Sequence, residues 1–173
     1  MRRGAWKLRL PYLILTIVVI ALDQIVKVWV RGHIELYDEI PFLPGIMDLT
    51  YWQNTGAAFS SFSAHTWPLA VVSMVVAALL LFALLKGLFP RPFGCVALAL
   101  VLGGAVGNLI DRVALGYVTD MFMTTFINFA IFNVADICVV AGGVMICVHI
   151  LFFYDKTERK KKEAGDGSPD ADG

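Results

Sequence analysis

Two aspartates offer the chemistry most open to this chain, Asp120 and Asp136. Asp120 lies among Tyr117, Val118, Met121, Phe122 and Met123, so its segment folds back onto apolar surface rather than extending into water. A carboxylate held there is partly desolvated, which favours its protonated form. Asp136 is the one charged residue in a long apolar run, and it follows Asn133 by three residues. Brought together, two such carboxylates cannot both ionise comfortably, and one keeps a proton. One member can then activate water while the other donates to a peptide carbonyl.

Asn108 and Asp111 repeat the N-x-x-D spacing of Asn133 and Asp136. At that spacing both side chains share a helix face. Asn133 and Asp136 also fit a helix start, with Asn133 as the cap. Asp23 and Lys27, four apart, share a face too, and read as an ion pair within the first apolar run. The other reading makes Lys27 a base for a serine nucleophile, with Ser60, Ser61 and Ser63 as candidates. Arg112 follows Asp111 directly and reads as a positioning group for backbone carbonyls or a carboxylate across the bundle. Cys95, Cys138 and Cys147 all lie in apolar runs and read as small hydrophobes. His33, His65 and His149 have no ligand-like spacing, so neither metal nor organic cofactor is expected.

These residues need a membrane to position them. The chain is 58% hydrophobic and has a mean hydropathy of +0.74. A soluble core of 173 residues could not bury that much apolar surface. Four stretches have spanning length, at about Leu10–Val30, Trp67–Leu85, Phe93–Ile110 and Phe132–Tyr154. Eleven of the 14 basic residues precede the first stretch, separate the second from the third, or follow the fourth. The positive-inside rule therefore puts both termini in the cytoplasm and the loops at about 31–66 and 111–131 outside. Asp136 is about 27 Å of helix before Tyr154, which sets it near the outer interface. The first outer loop alternates over Ile46–Asn54, with Met47, Leu49 and Tyr51 on one face. That pattern predicts a strand, which either caps the bundle or cradles an extended peptide. Gly103 and Gly107 allow the third helix to approach a neighbour closely. The fold expected is a membrane all-α domain over 1–155, with four transmembrane helices and a small extracytoplasmic β-cradle. A charged, disordered cytoplasmic tail follows over 156–173, its basic half against anionic lipid.

Five stretches together resemble the lipoprotein signal peptidase (signal peptidase II) family. They are Asp23-Gln24 with Lys27, Asn54-Thr55-Gly56-Ala57-Ala58-Phe59-Ser60, Gly103 to Arg112, Gly116-Tyr117-Val118-Thr119-Asp120, and Phe132-Asn133-Val134-Ala135-Asp136. They occur in the family's order and cover nearly all the chain except the tail. The family usually has Phe after the second-loop aspartate, where this chain has Met121. The resemblance implies a bacterial aspartic endopeptidase of the cytoplasmic membrane, with Asp120 and Asp136 as its catalytic dyad. It implies supporting or substrate-binding roles for Asp23, Asn54, Gly56, Asn108, Asp111, Arg112 and Asn133. It also implies the substrate, a prolipoprotein cleaved just before a diacylglyceryl-modified cysteine, and inhibition by globomycin-type cyclic peptides. Membrane lipid is the other expected partner, nucleic acid is not, and the chain is expected to be a monomer.

Two other classes compete. A small transporter would use intramembrane carboxylates to carry protons or cations. It does not explain why the polar residues gather toward one membrane face rather than the midplane. A serine–lysine peptidase needs a serine fixed beside Lys27, and the sequence around Ser60 gives no sign of one.

Overall fold

The structure, a computed structural model, describes residues 9–56 and 66–165, with side chains to residue 152. Four helices in it are long and apolar enough to cross a membrane. They are α1 (Leu10–His33), α2 (Thr66–Lys86), α3 (Pro92–Leu115) and α4 (Val134–Gly165). The apolar part of α4 ends at Phe152. The helix itself runs on to Gly165, so regular structure enters the stretch expected to be a disordered tail.

The buried residues of α1 are Thr16, Val19, Asp23, Lys27 and Val30, which recur every three or four residues. Asp23 and Lys27 therefore lie on the stripe that faces the bundle. The buried positions of α2 are Ala70, Ala77 and Leu84, one narrow seam at a spacing of seven. Leu84 packs with Cys95, Leu98 and Leu102 of α3. α3 is the most enclosed of the four and packs against each of the others. Its glycines set those distances. A Cβ at Gly103 would lie 2.7 Å from Val19 of α1, and one at Gly104 would collide with the carbonyl oxygen of Ala135 on α4. The small-residue motif thus serves two neighbours on adjoining faces.

α3 also runs past the end expected from hydropathy. Asp111 and Arg112 occupy its final turns, and Gly116 closes it in the left-handed region at φ 79°. The apolar signal fades at Ile110, but the polar residues beyond it turn inward and keep the helix intact.

At this end of the bundle lies a three-stranded antiparallel sheet in the order β1 (Glu39–Leu43), β2 (Met47–Asn54), β3 (Val118–Thr124). The strand expected in the first outer loop is β2. The second outer loop adds β3, which pairs with β2 so that Trp52 stands opposite Asp120 and Asn54 opposite Val118. Val30 of α1 and Ile34, which caps its end, pack with Tyr51 of β2 and Met121 of β3. Met121 is wholly buried there. Its unbranched side chain fits among Val30, Ile34 and Tyr51.

Candidate functional site

The site forms where α1, α3 and α4 meet the sheet. It is best built outward from the start of α4. Asn133 caps this helix, its Oδ1 accepting from the N–H of Asp136 at 2.9 Å. Asp136 answers through Oδ2, which accepts from the N–H of Asn133 at 3.1 Å. This reciprocal pair is a capping box. The N–H of Ala135 between them donates to Asp23 Oδ1 on α1 at 2.9 Å. A carboxylate from one helix thus satisfies the positive start of another.

The cap also makes contacts across the site. With its oxygen committed to the helix, Asn133 points its amide nitrogen at Asp120 Oδ1, 2.6 Å away. Asp120 Oδ2 accepts from Asn54 Nδ2 at 2.9 Å. Asn54 is held in turn by Gly56, whose N–H donates to Asn54 Oδ1 at 3.0 Å. Asp136 Oδ1 accepts from Asn108 Nδ2 of α3 at 2.8 Å. Each aspartate therefore receives a donor on both oxygens, and Asn133 serves both residues.

Asp120 is 2% exposed. Burial pushes its carboxyl up to about 7, against the pull of the Asn54 donor. The charge of Asp136 raises it further, while Asn133 and the charge of Lys27 act in the opposite sense. Such a group holds a proton near neutrality and can give it up.

Asp111 faces elsewhere. Its Oδ2 accepts from the N–H of Thr119 at 2.9 Å, fixing the start of β3 one residue before Asp120. Its Oδ1 accepts from Gln24 Nε2 at 3.2 Å. Arg31 reaches Thr119 Oγ1 at 2.8 Å. The expected ion pair is present, with Lys27 Nζ 2.8 Å from Asp23 Oδ2. Lys27 also lies 3.5 Å from Asp111 Oδ2 and donates to Asn108 Oδ1 at 2.8 Å. Its ammonium is thus committed to acceptors, which does not suit a base. The serines that a lysine base would require fall at 60, 61 and 63, outside the described residues, as do Ala57 to Phe59.

Arg112 was expected to satisfy carbonyls or a carboxylate. It sits within the electrostatic reach of Asp136, Asp120 and Asp111. Its Nε, however, is buried without a hydrogen-bond partner among the described residues. A guanidinium near the two aspartates is then able to receive an acceptor from outside the protein.

Asp23, Asn54, Gly56, Asn108, Asp111, Arg112, Asp120, Asn133 and Asp136 are therefore found in one connected region. Gln24, Arg31 and Thr119 belong to it as well. Gln24, Lys27 and Arg31 recur at three and four residues along α1, a signal readable in the sequence as one polar edge.

A bundle of four apolar helices with a buried carboxylate cluster under a small sheet defines an integral membrane protein whose site is built from acids and amides. The sequence model of the family described as signal peptidase (SPase) II matches residues 15–152. The chain belongs to that family, and it is a multi-pass bacterial membrane peptidase. A lipoprotein signal peptidase of Streptococcus agalactiae is 41% identical over 144 residues, covering 83% of this chain and 92% of the relative. One from Lactococcus lactis is 41% identical over 143 residues, covering 83% and 95%. Two solved chains, each described as a bacterial membrane enzyme, share the fold. One superposes with a TM-score of 0.77 at 24% identity over 94% of both chains. The other gives 0.76 at 27% identity, covering 83% of this chain and 94% of its own.

Proposed function

We propose that this protein removes signal peptides from diacylglyceryl-modified prolipoproteins, cleaving before the lipidated cysteine, with Asp120 and Asp136 as an aspartic dyad. The observation that carries the reading is the bridge through Asn133, which ties the buried carboxylate of Asp120 and the half-buried one of Asp136 into one unit. Asp120 holds the shared proton and Asp136 takes a proton from the attacking water. The water adds to the scissile carbonyl as Asp120 donates to the carbonyl oxygen. Collapse of the tetrahedral intermediate then breaks the C–N bond and expels the amine, which receives from Asp136 the proton taken from water, while a hydroxyl of the intermediate returns its proton to Asp120 as the new carboxyl forms. Atoms balance with water as the sole co-reactant.

The amides supply geometry. Asn54, Asn108 and Asn133 hold the carboxylates in fixed rotamers, which is worth much in a dry site. Arg112 presents its guanidinium to a peptide carbonyl near the dyad. The edge of the sheet gives an extended peptide a strand to follow. Both termini lie in the cytoplasm and the site lies near the outer leaflet, where a helix and its lipid can arrive sideways. Residues 1–155 form the peptidase domain and 156–173 a cytoplasmic tail. The enzyme works as a monomer, and cyclic peptides of the globomycin type compete for the same site.

The test is cleavage of a diacylglyceryl-modified prolipoprotein by purified protein in detergent. Asp120→Asn and Asp136→Asn are expected to fold and to lose all measurable cleavage. Normal cleavage by either variant removes it from the dyad.

A further inference from the structure

Lys27 is wholly buried, and its ion pair does not account for all of its contacts. Nζ reaches Asp23 Oδ2 at 2.8 Å, Asp111 Oδ2 at 3.5 Å and Asn108 Oδ1 at 2.8 Å. A cation placed only to neutralise Asp23 and Asp111 needs no amide. One of its short contacts is nevertheless spent on Asn108, and the other end of that amide donates to Asp136 Oδ1 at 2.8 Å.

An amide can present either end, and its two orientations have nearly the same shape. An ammonium removes that freedom because it has donors and no acceptor. With Lys27 beside it, Asn108 must turn its oxygen to α1 and its nitrogen to α4. The reversed amide would set N–H against ammonium and oxygen against carboxylate, two repulsive contacts in a buried site. Asn133 Nδ2 also donates to Asn108 Oδ1, but at 3.2 Å and while committed to Asp120. Lys27 is the stronger lock.

We infer that Lys27 is a positioning residue for the reaction, locking the amide of Asn108 so that its nitrogen donates to Asp136. The inference rests on the aspartic reading above. The groups facing Asp136 are Asn108 on α3 and Asn133 at its own helix start. The charges near it are Arg112 on α3 and Asp120 on β3. Lys27 touches Asn108 and so reaches Asp136 through that amide, while its charge also acts on Asp120. Without the ammonium, the carboxylates of Asp23 and Asp111 would draw the Asn108 nitrogen toward themselves and turn its oxygen onto Asp136.

The test is a double-mutant cycle on kcat with Lys27→Met and Asn108→Ala, using the full chain in detergent and a lipidated prolipoprotein. Lys27→Met is expected to lower kcat by roughly 10- to 100-fold with KM nearly unchanged. In the Asn108→Ala background the same change is expected to leave kcat within about twofold, while its effect on Tm persists. Losses in kcat that multiply across the cycle would overturn the inference, as would a wild-type kcat for Lys27→Met. If Lys27→Met does not fold, Asp23→Asn with Lys27→Met takes its place. That pair removes both charges and keeps an oxygen for the N–H of Ala135. Recovery of kcat along with Tm in this pair would reduce Lys27 to a charge partner and also overturn the inference. Asp120→Asn and Asp136→Asn are run beside the cycle. If they cleave normally, the aspartic reading fails. If they are dead and the cycle multiplies, only the role of Lys27 fails.

Discussion

Asn133 donates its side-chain amide to Asp120 at 2.6 Å while its own oxygen caps the helix that carries Asp136. One residue thus fixes a strand aspartate against a helix aspartate. Because the cap consumes the oxygen, the nitrogen has one direction left to point. The two functions of Asn133 can be separated. Serine is also a good cap, but its short hydroxyl cannot reach Asp120. Asn133→Ser is expected to keep the fold within about 1 kcal/mol and to lower kcat by roughly 10- to 100-fold. Asn133→Ala is expected to lose both stability and activity. Thermal unfolding and single-turnover cleavage measure the two effects. A fully active Asn133→Ser would show that the amide bridge is dispensable.

The proton on Asp120 sets a pH limit. Burial lifts its carboxyl to about 7, whereas an aspartate in the unfolded chain titrates near 3.9. The folded state therefore binds this proton more tightly. The stability it contributes is complete below about 4 and is lost as pH rises through about 7. Cleavage that needs the protonated acid should decline over the same upper range, so kcat/KM is expected to fall above about pH 7. Tm should decline from pH 5 to pH 8, and Asp120→Asn should flatten this slope. A kcat/KM flat to pH 9 would remove Asp120 as the proton donor.

Asp111 and Asp120 should differ in kind. Asp111 holds the start of β3 through the N–H of Thr119 at 2.9 Å. Asparagine retains an oxygen for that bond. Asp111→Asn is expected to retain partial activity, with kcat down by roughly tenfold, and Asp120→Asn to lose all measurable cleavage. Equal and complete loss in both, with both folded, would bring Asp111 into the chemistry.

Much of this arrangement was readable from residue types. The four helices announce themselves because lipid demands long apolar runs. The Asp23–Lys27 pair and the Asn133–Asp136 box are local, and local spacing is what a sequence displays. The contacts between elements are not local. The Ala135 N–H on Asp23 and the Asn108 amide on Asp136 join separate helices. β3 has no clean alternation, since Val118, Thr119, Asp120 and Met121 are all buried. A strand covered on both faces loses the period of two that would reveal it. The end of α3 was hidden for the opposite reason. Asp111 looks like a surface residue by type, and it is 1% exposed.

The glycines of α3 test how tightly the site depends on helix spacing. A Cβ at Gly104 would strike the backbone oxygen of Ala135, and one at Gly107 would lie 2.6 Å from Asp23 Oδ2. Backbone cannot swing aside as a side chain can. Gly104→Ala should push α4 away from α3, lowering stability by about 1–3 kcal/mol and reducing kcat with it. Gly143 on α4 has nothing within 4 Å of its Cβ position. Gly143→Ala is expected to be neutral or slightly stabilising. Equal Tm values for the two variants would show that the α3–α4 contact is not tight.

Arg112 gives the sharpest contrast between stability and activity. Its Nε is buried and makes no hydrogen bond among the described residues. It nevertheless stands near the charges of Asp136, Asp120 and Asp111. Lysine keeps the charge but loses the planar fork and the Nε donor. If the guanidinium serves the peptide carbonyl, Arg112→Lys should fold with a Tm close to wild type. Its kcat/KM should fall by roughly 10- to 100-fold, the loss expected for one directed donor near a reacting carbonyl. A purely electrostatic role predicts the reverse pattern, because lysine would supply the same charge and spare kcat/KM. Arg112→Gln divides the remaining cases. If it loses Tm and activity together, the charge holds the carboxylate cluster in place. If it keeps Tm and loses activity, the guanidinium acts on the substrate.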